Sequence, residues 1–252
     1  MELYVNGIGA LGPGLAGWAG SQAVLAGKSP SCDAVPTAPS ASLLPPNEQR
    51  RSSESVRWAV HVAQEAMQQA EADAREVTSV FASSDGETGV LDRLCTALAM
   101  PQRTISPTLF HHSVHNAASG YWGIATGSQQ SSTVLACYDS SFCAALLEAA
   151  AYVHADERPV LIVAYDLPPP PPLYAARPLR GGFAAALLLT RTPAPCNLPS
   201  STSLCPMTFP KKQRAWTIRD WKPSGEGITP RGRYRFWPPS QDSASHWSVL
   251  SI

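Results

Sequence analysis

The side chains best able to do chemistry crowd into one stretch: His111, His112 and His115 precede an apolar run, and Cys137 and Asp139 follow at a strand-to-helix junction. A thiol beside an imidazole is the minimal nucleophile and base for acyl transfer, so a Cys137/His115 dyad is one reading. Asp139 has a plainer use. A carboxylate ahead of a helix accepts orphan backbone N–H groups and matches the helix dipole, whereas it is a poor nucleophile toward a thioester. The histidines also have a plainer use, hydrogen bonding in a loop and at a helix start. Tyr121 and Trp122 could line an apolar groove or simply fill a core.

Other motifs carry less. Gly7, Gly9, Gly12 and Gly14 alternate near the N-terminus, but with Pro13 among them they miss the G-x-G-x-x-G phosphate fingerprint, so no dinucleotide is implied. The six cysteines lack C-x-x-C spacing, which fits a reducing compartment and supports neither a disulfide framework nor zinc. No cofactor is expected.

Alternating elements must position these residues. Leu3 to Ile8 reads as a strand, Gly9 to Gly14 as a turn, and Leu15 to Gly27 as a helix. Ser29 to Asn47 is rich in Pro, Ser and Ala and reads as a loop. Ser53 opens a long helix to about Ala72, with Val56, Ala59, Val60, Ala63, Ala66, Met67 and Ala70 on one face. Thr78 to Ser83 predicts a strand, and Glu87 to Ala99 a helix with Val90, Leu91, Leu94, Cys95 and Leu98 inward. A helix over Ser113 to Thr126 and a strand over Thr133 to Cys137 come next. Ser140 to Ala155 predicts a helix so apolar all round that it should be buried. Strands at Pro159 to Ala164 and Gly182 to Leu189 flank a stiff surface connection through Pro168 to Pro172. Strands separated by helices make an α/β fold, a sheet covered on both faces by right-handed crossovers.

At 252 residues and 44% apolar, the chain supports one sizeable core. Formal charge is zero, so no long-range field draws in nucleic acid or an anionic membrane. No stretch approaches the roughly 20 apolar residues needed to span a bilayer, and MELYVNGIGALGPG lacks the regions of a secretory signal. A cytoplasmic protein is expected. From about Thr192 prolines multiply, four of the seven tryptophans appear, and periodicity vanishes. The expected organisation is one α/β domain over residues 1–191 and an irregular, disordered tail over 192–252.

Four stretches in order, LYVNGIGALGPG, SPTLFHHSVHNAASGYW, YDSSFCAALLEA and VLIVAYDLPPPPPL, resemble the N-terminal half of a β-ketoacyl synthase. The likeness is to the short synthase-like chain length factors of bacterial aryl polyene clusters, over roughly residues 1 to 190. It implies half of a thiolase-like fold, a mixed sheet with helices on both faces. Laid on an elongating synthase from Ser106-Pro107, the alignment brings Asn116, Gly120 and Gly127 onto matching residues and the nucleophilic cysteine onto Asp139. Cys137 could be that nucleophile only in a shifted register that spoils the match at Ala145, Leu146 and Ala149.

The resemblance implies a subunit that is catalytically silent alone, lacking both the elbow thiol and the histidine pair of the absent C-terminal half. It implies a heterodimer with a full-length β-ketoacyl-ACP synthase, reaching the acyl carrier protein indirectly. Leu109, Phe110 and Ser113 then lie on the loop that reaches the partner's acyl pocket, with Asn116, Tyr121 and Trp122 behind it. Two alternatives stay open: a stand-alone acyltransferase or thioesterase-like enzyme using Cys137, and a degraded gene product. The second arises because relatives end in an apolar Asn-Pro-Ala run, and one back-translation of Ile228 to Trp237 in a shifted frame gives NPAGALSLL.

Overall fold

The computed structural model describes residues 2–30, 34, 36–193 and 207–208. In chain order these form β1 (Glu2–Gly12), β2 (Leu15–Ala16), α1 (Trp18–Leu25), α2 (Pro46–Arg51), α3 (Glu54–Gln69), β3 (Thr78–Ala82), α4 (Thr88–Ala99), α5 (Pro107–His111) and α6 (Ala117–Thr126). Then come β4 (Ser132–Leu135), α7 (Ser141–Asp156), β5 (Val160–Asp166), α8 (Leu173–Ala176), β6 (Phe183–Thr190) and β7 (Met207–Thr208). The sheet runs β2-β1-β6-β5-β3-β4. β3 pairs in parallel with β4 and β5, while β5 with β6 and β6 with β1 are antiparallel. The sheet is therefore mixed, and β4 ends the series.

α3 organises one face. Ser53 caps it by accepting from the Val56 N–H at 3.2 Å, and Glu54 sits in the first turn. Its stripe of Val56, Ala59, Val60, Ala63, Ala66 and Met67 is buried as the spacing requires, together with Trp58 and Val62. Tyr121 and Trp122 of α6 join this core, with Phe81, Leu161, Val163 and Tyr165 from the sheet. Strand alternation sends Val160 and Ile162 to the opposite side, where α7 lies on β5 and β3.

The N-terminal glycines belong to this packing. The expected turn at Gly9 to Gly14 is replaced by strand through Gly12, with the turn at Pro13 and Gly14, and Leu15–Ala16 returns as β2 before the helix begins at Trp18. A Cβ at Gly7 would stand 2.1 Å from the Ala66 carbonyl oxygen, and one at Gly9 2.1 Å from that of Val62. Only glycine lets α3 lie so close to β1. The contact is sealed by Gln69, which accepts from the Ile8 N–H at 2.5 Å, and by Glu65, which accepts from Ala10 at 3.0 Å.

Other expectations shift. α2 interrupts the predicted 29–47 loop at its end, started by Pro46 at a first helical position. The helix expected from Ser113 begins only at Ala117, as α6, and an unexpected short helix, α5, precedes it, started by Ser106 and Pro107. On α4, Val90 and Leu94 are buried, but Leu91, Cys95 and Leu98 face outward. α7 is buried along Ser141, Ala145, Ala149, Ala150 and Val153, while Leu147 is 67% and Phe142 36% exposed. The expected tail lies almost wholly outside the described residues.

Candidate functional site

The junction between β4 and α7 sits at the C-terminal ends of the parallel strands, where α/β sheets place their ligands. β4 ends at Leu135, two residues before the expected Cys137, because Cys137 leaves the extended region and Tyr138 takes a positive φ of 52°. Residues 138–140 make a single 3₁₀ turn. Ser141 pins it: its Oγ accepts from the Cys137 N–H at 3.0 Å and donates to the Tyr138 carbonyl at 2.6 Å.

Asp139 does not cap α7. The residue at the cap position is Ser140, which makes no side-chain cap bond, and the Asp139 carboxylate turns instead to Arg177. Arg177 Nη2 donates to Asp139 Oδ1 at 3.0 Å, Arg177 Nε lies 2.7 Å from Asp85 Oδ2, and the guanidinium stacks 3.8 Å from the Tyr138 ring centroid. The Nε contact is an ion pair without hydrogen-bond alignment. Burial pulls the Arg177 pKa down, but the Asp85 charge and the bonds to Asp139 and Tyr138 outweigh it, and the net displacement is upward. The two arms differ in setting: Asp85 is 18% exposed and Asp139 77%.

Asp85 is itself held. At the end of β5, Asp166 accepts from Ser83 Oγ at 2.8 Å, from the Ser84 N–H at 2.9 Å and from Ser84 Oγ at 2.8 Å. This fixes the loop after β3 and so presents Asp85 to the guanidinium. Sequence reasoning missed Arg177, Asp85 and Asp166. The available signal was Ser83-Ser84-Asp85-Gly86 directly after an apolar strand, a polar turn at a sheet's ligand end.

Cys137 is exposed, and no hydrogen bond joins it to His115. The His115 Nε2 lies 3.4 Å from the Leu135 carbonyl oxygen, and its Nδ1 fills the space a Cβ at Gly86 would need. His112 stacks on Tyr121 with ring centroids 5.4 Å apart, its Nε2 3.4 Å from the Tyr121 hydroxyl, and His111 meets both edge-on.

On α5, Phe110 projects with 63% exposure and Leu109 is half-buried. The Ser113 hydroxyl donates to the Phe110 carbonyl at 2.7 Å. Asn116 occupies the cap position of α6 without a side-chain bond. Tyr121 and Trp122, 2% and 3% exposed, fill the chain's own core. Among the described residues no three metal-ligating side chains converge, and no helix is long and apolar enough to cross a membrane.

Comparison with known proteins gives this geometry a lineage. Residues 19–217 match the family described as "Beta-ketoacyl synthase, N-terminal domain". Among solved structures, a chain of the ketosynthase ApeO in complex with its chain length factor ApeC from Xenorhabdus doucetiae aligns at 26% identity and TM-score 0.63, over 77% of this chain and 80% of that one. The ishigamide ketosynthase/chain length factor aligns at 15% identity and TM-score 0.61, over 75% of this chain and 62% of that one. A type II polyketide ketosynthase assembly with its acyl-carrier protein aligns at 14% and 0.62, over 75% and 63%. No curated protein matches significantly. The mixed sheet, the helices on both faces and the family match agree: the chain belongs to the β-ketoacyl synthase N-terminal domain family, with a thiolase-like α/β fold.

Proposed function

We propose that this chain is a non-catalytic, chain-length-factor-type partner of a full-length β-ketoacyl-ACP synthase, acting in the cytoplasm in aryl-polyene-type or fatty-acid-type chain assembly. The observation that carries this reading is the elbow. Condensation needs a thiolate there to hold the acyl chain, and the residue the resemblance places there, Asp139, is bonded to Arg177. The nearby Cys137 thiol makes no hydrogen bond to an imidazole. The exposed outer faces of α4 and α7, and β4 at the end of the sheet, offer the apolar and backbone surface a heterodimer would cover. The complex of ApeO with ApeC is a precedent for such a pair. In this reading the carrier protein delivers its cargo to the synthase. Leu109, Phe110 and Ser113 limit how far the product grows, with Phe110 reaching into the synthase's tunnel.

Co-expression with a full-length synthase tests this. The expected result is a stable complex on gel filtration whose products keep forming with Cys137→Ala and lengthen with Phe110→Ala. A chain that purifies alone and takes up an acyl group from a thioester, losing that mass shift with Cys137→Ala, would replace this reading with an independent acyl-transfer enzyme.

A further inference from the structure

A concavity of about 370 Å³ lies away from the elbow, between the end of α2, the start of α3, α4 and the start of α5. Its wall carries Arg50, Arg51 and Arg93 with Ser52, Thr108 and His112. Three guanidinium groups on one cleft are unusual in a chain with no net charge. They are also poorly neutralised. Arg50 bonds to the Asn47 amide oxygen, Arg93 to the Gly89 carbonyl at 3.3 Å, and Arg51 reaches Glu48 only at 3.8 Å.

Three further features point the same way. The positive end of the 16-residue α3 opens onto the cleft through Ser52 and Ser53. His112 is 4% exposed, and its Nδ1, against the Arg51 backbone, makes no hydrogen bond of ordinary geometry. The Thr108 hydroxyl adds a donor that can rotate to suit a ligand, while Ser52 is held in place by donating to the Gln49 carbonyl at 2.7 Å. Two carboxylates stand close by, Glu48 beside Arg51 and Glu87, which is bonded to Ser53 Oγ at 2.8 Å. Burial raises the Glu87 pKa, which favours its neutral form.

We infer that this cleft is a binding site for a phosphate-type oxyanion, gripped by Arg50, Arg51 and Arg93 and backed by His112. Guanidinium forks match the tetrahedral oxygens, and the Thr108 hydroxyl adds to the shell. The site shares no side chain with the elbow, and its test on the isolated chain is separate from that of the chain-length-factor reading, although Leu109 also lines the cleft. The oxyanion can be free phosphate or a phosphoester carried on a larger molecule.

Calorimetric titration of the full chain in low-salt, phosphate-free buffer tests this, with inorganic phosphate in one arm and coenzyme A, as a phosphoester, in the other. Saturable binding is expected in at least one arm, and the stronger arm names the source. Arg51→Gln and Arg93→Gln should each weaken it about tenfold, the weight of one charge-assisted hydrogen bond, while Arg158→Gln outside the cleft leaves it unchanged. The His112 imidazole NMR signals should move with the same saturation. Absence of saturation in both arms by about 10 mM, or equal loss in all three variants, overturns the site.

Discussion

α3 and α7 are both 16 residues long and both lie on the sheet, yet they answer the sheet differently. α3 segregates its residues: a fully buried apolar stripe faces β1, β5 and β6, and Arg57, Gln64 and Gln68 lie off it. α7 does not. Ala145, Ala149 and Val153 are buried against the sheet, while Phe142, Cys143 and Leu147 point away from it. A helix apolar on all sides is built for burial on all sides. One face of this molecule is thus finished by the described residues themselves, and the other presents a surface fit for a second body. The half-fold has a complete core and an incomplete exterior.

The largest test of that contrast is in the core. Trp58→Ala, at a residue 1% exposed, should cost about 3–5 kcal/mol in denaturant unfolding. Leu147→Ala, at the outward face of α7, should change the isolated chain by less than about 0.5 kcal/mol and instead loosen any complex with a synthase. Comparable losses in the two variants would mean that the chain covers its own α7, and the contrast would fail.

What the sequence revealed follows the same division. α3 was legible because its cap, its first-turn acid and its stripe are all local: Ser53, Glu54 and the residues from Val56 to Met67 sit within four turns. The α/β order was legible for the same reason. α7 misled because hydrophobicity says that a surface is meant to be covered but not by what. The glycines at 7 and 9 misled because a turn and a close helix-on-strand approach leave the same mark in sequence; only the 2.1 Å clash with α3 carbonyls separates them. At the elbow, the alignment reached Asp139, but its partner Arg177 lies 38 residues on, across a connection with no periodic signal. Ion pairs between loops have no local signature.

Arg177 carries the contrast down to a single side chain, since one arm meets a mostly buried carboxylate and the other an exposed one. Arg177→Gln or Asp85→Asn should cost about 1–3 kcal/mol, because each strands a shielded charge or its partner. Asp139→Asn removes a solvent-facing pair and should cost about 0–1 kcal/mol. Hydrogen exchange across residues 167–182 should rise with the first two variants and hardly at all with the third. If Asp139→Asn proves as damaging as Asp85→Asn, the elbow is more enclosed than the exposure of its carboxylate implies.

The smallest effect is one of sign, at Glu87 beside the α3 N-terminus. Burial raises its pKa, and the bonds from Ser55 and Ser53, with the charges of Arg93 and His115, only partly pull it back. A carboxyl group raised on folding is favoured in its protonated form. Its contribution to stability is therefore fully present below the unfolded pKa and is lost as pH rises through the folded one. Glutamine keeps the acceptor oxygen for Ser53 but has no charge to desolvate. Glu87→Gln should thus be close to neutral near pH 4 and should raise the melting temperature relative to the parent at pH 7. The reverse order, a variant that loses most at pH 7, would show that ionised Glu87 is held by Arg93 as a working ion pair. The finished face would then be closed by charge pairing at this end as well as by apolar packing.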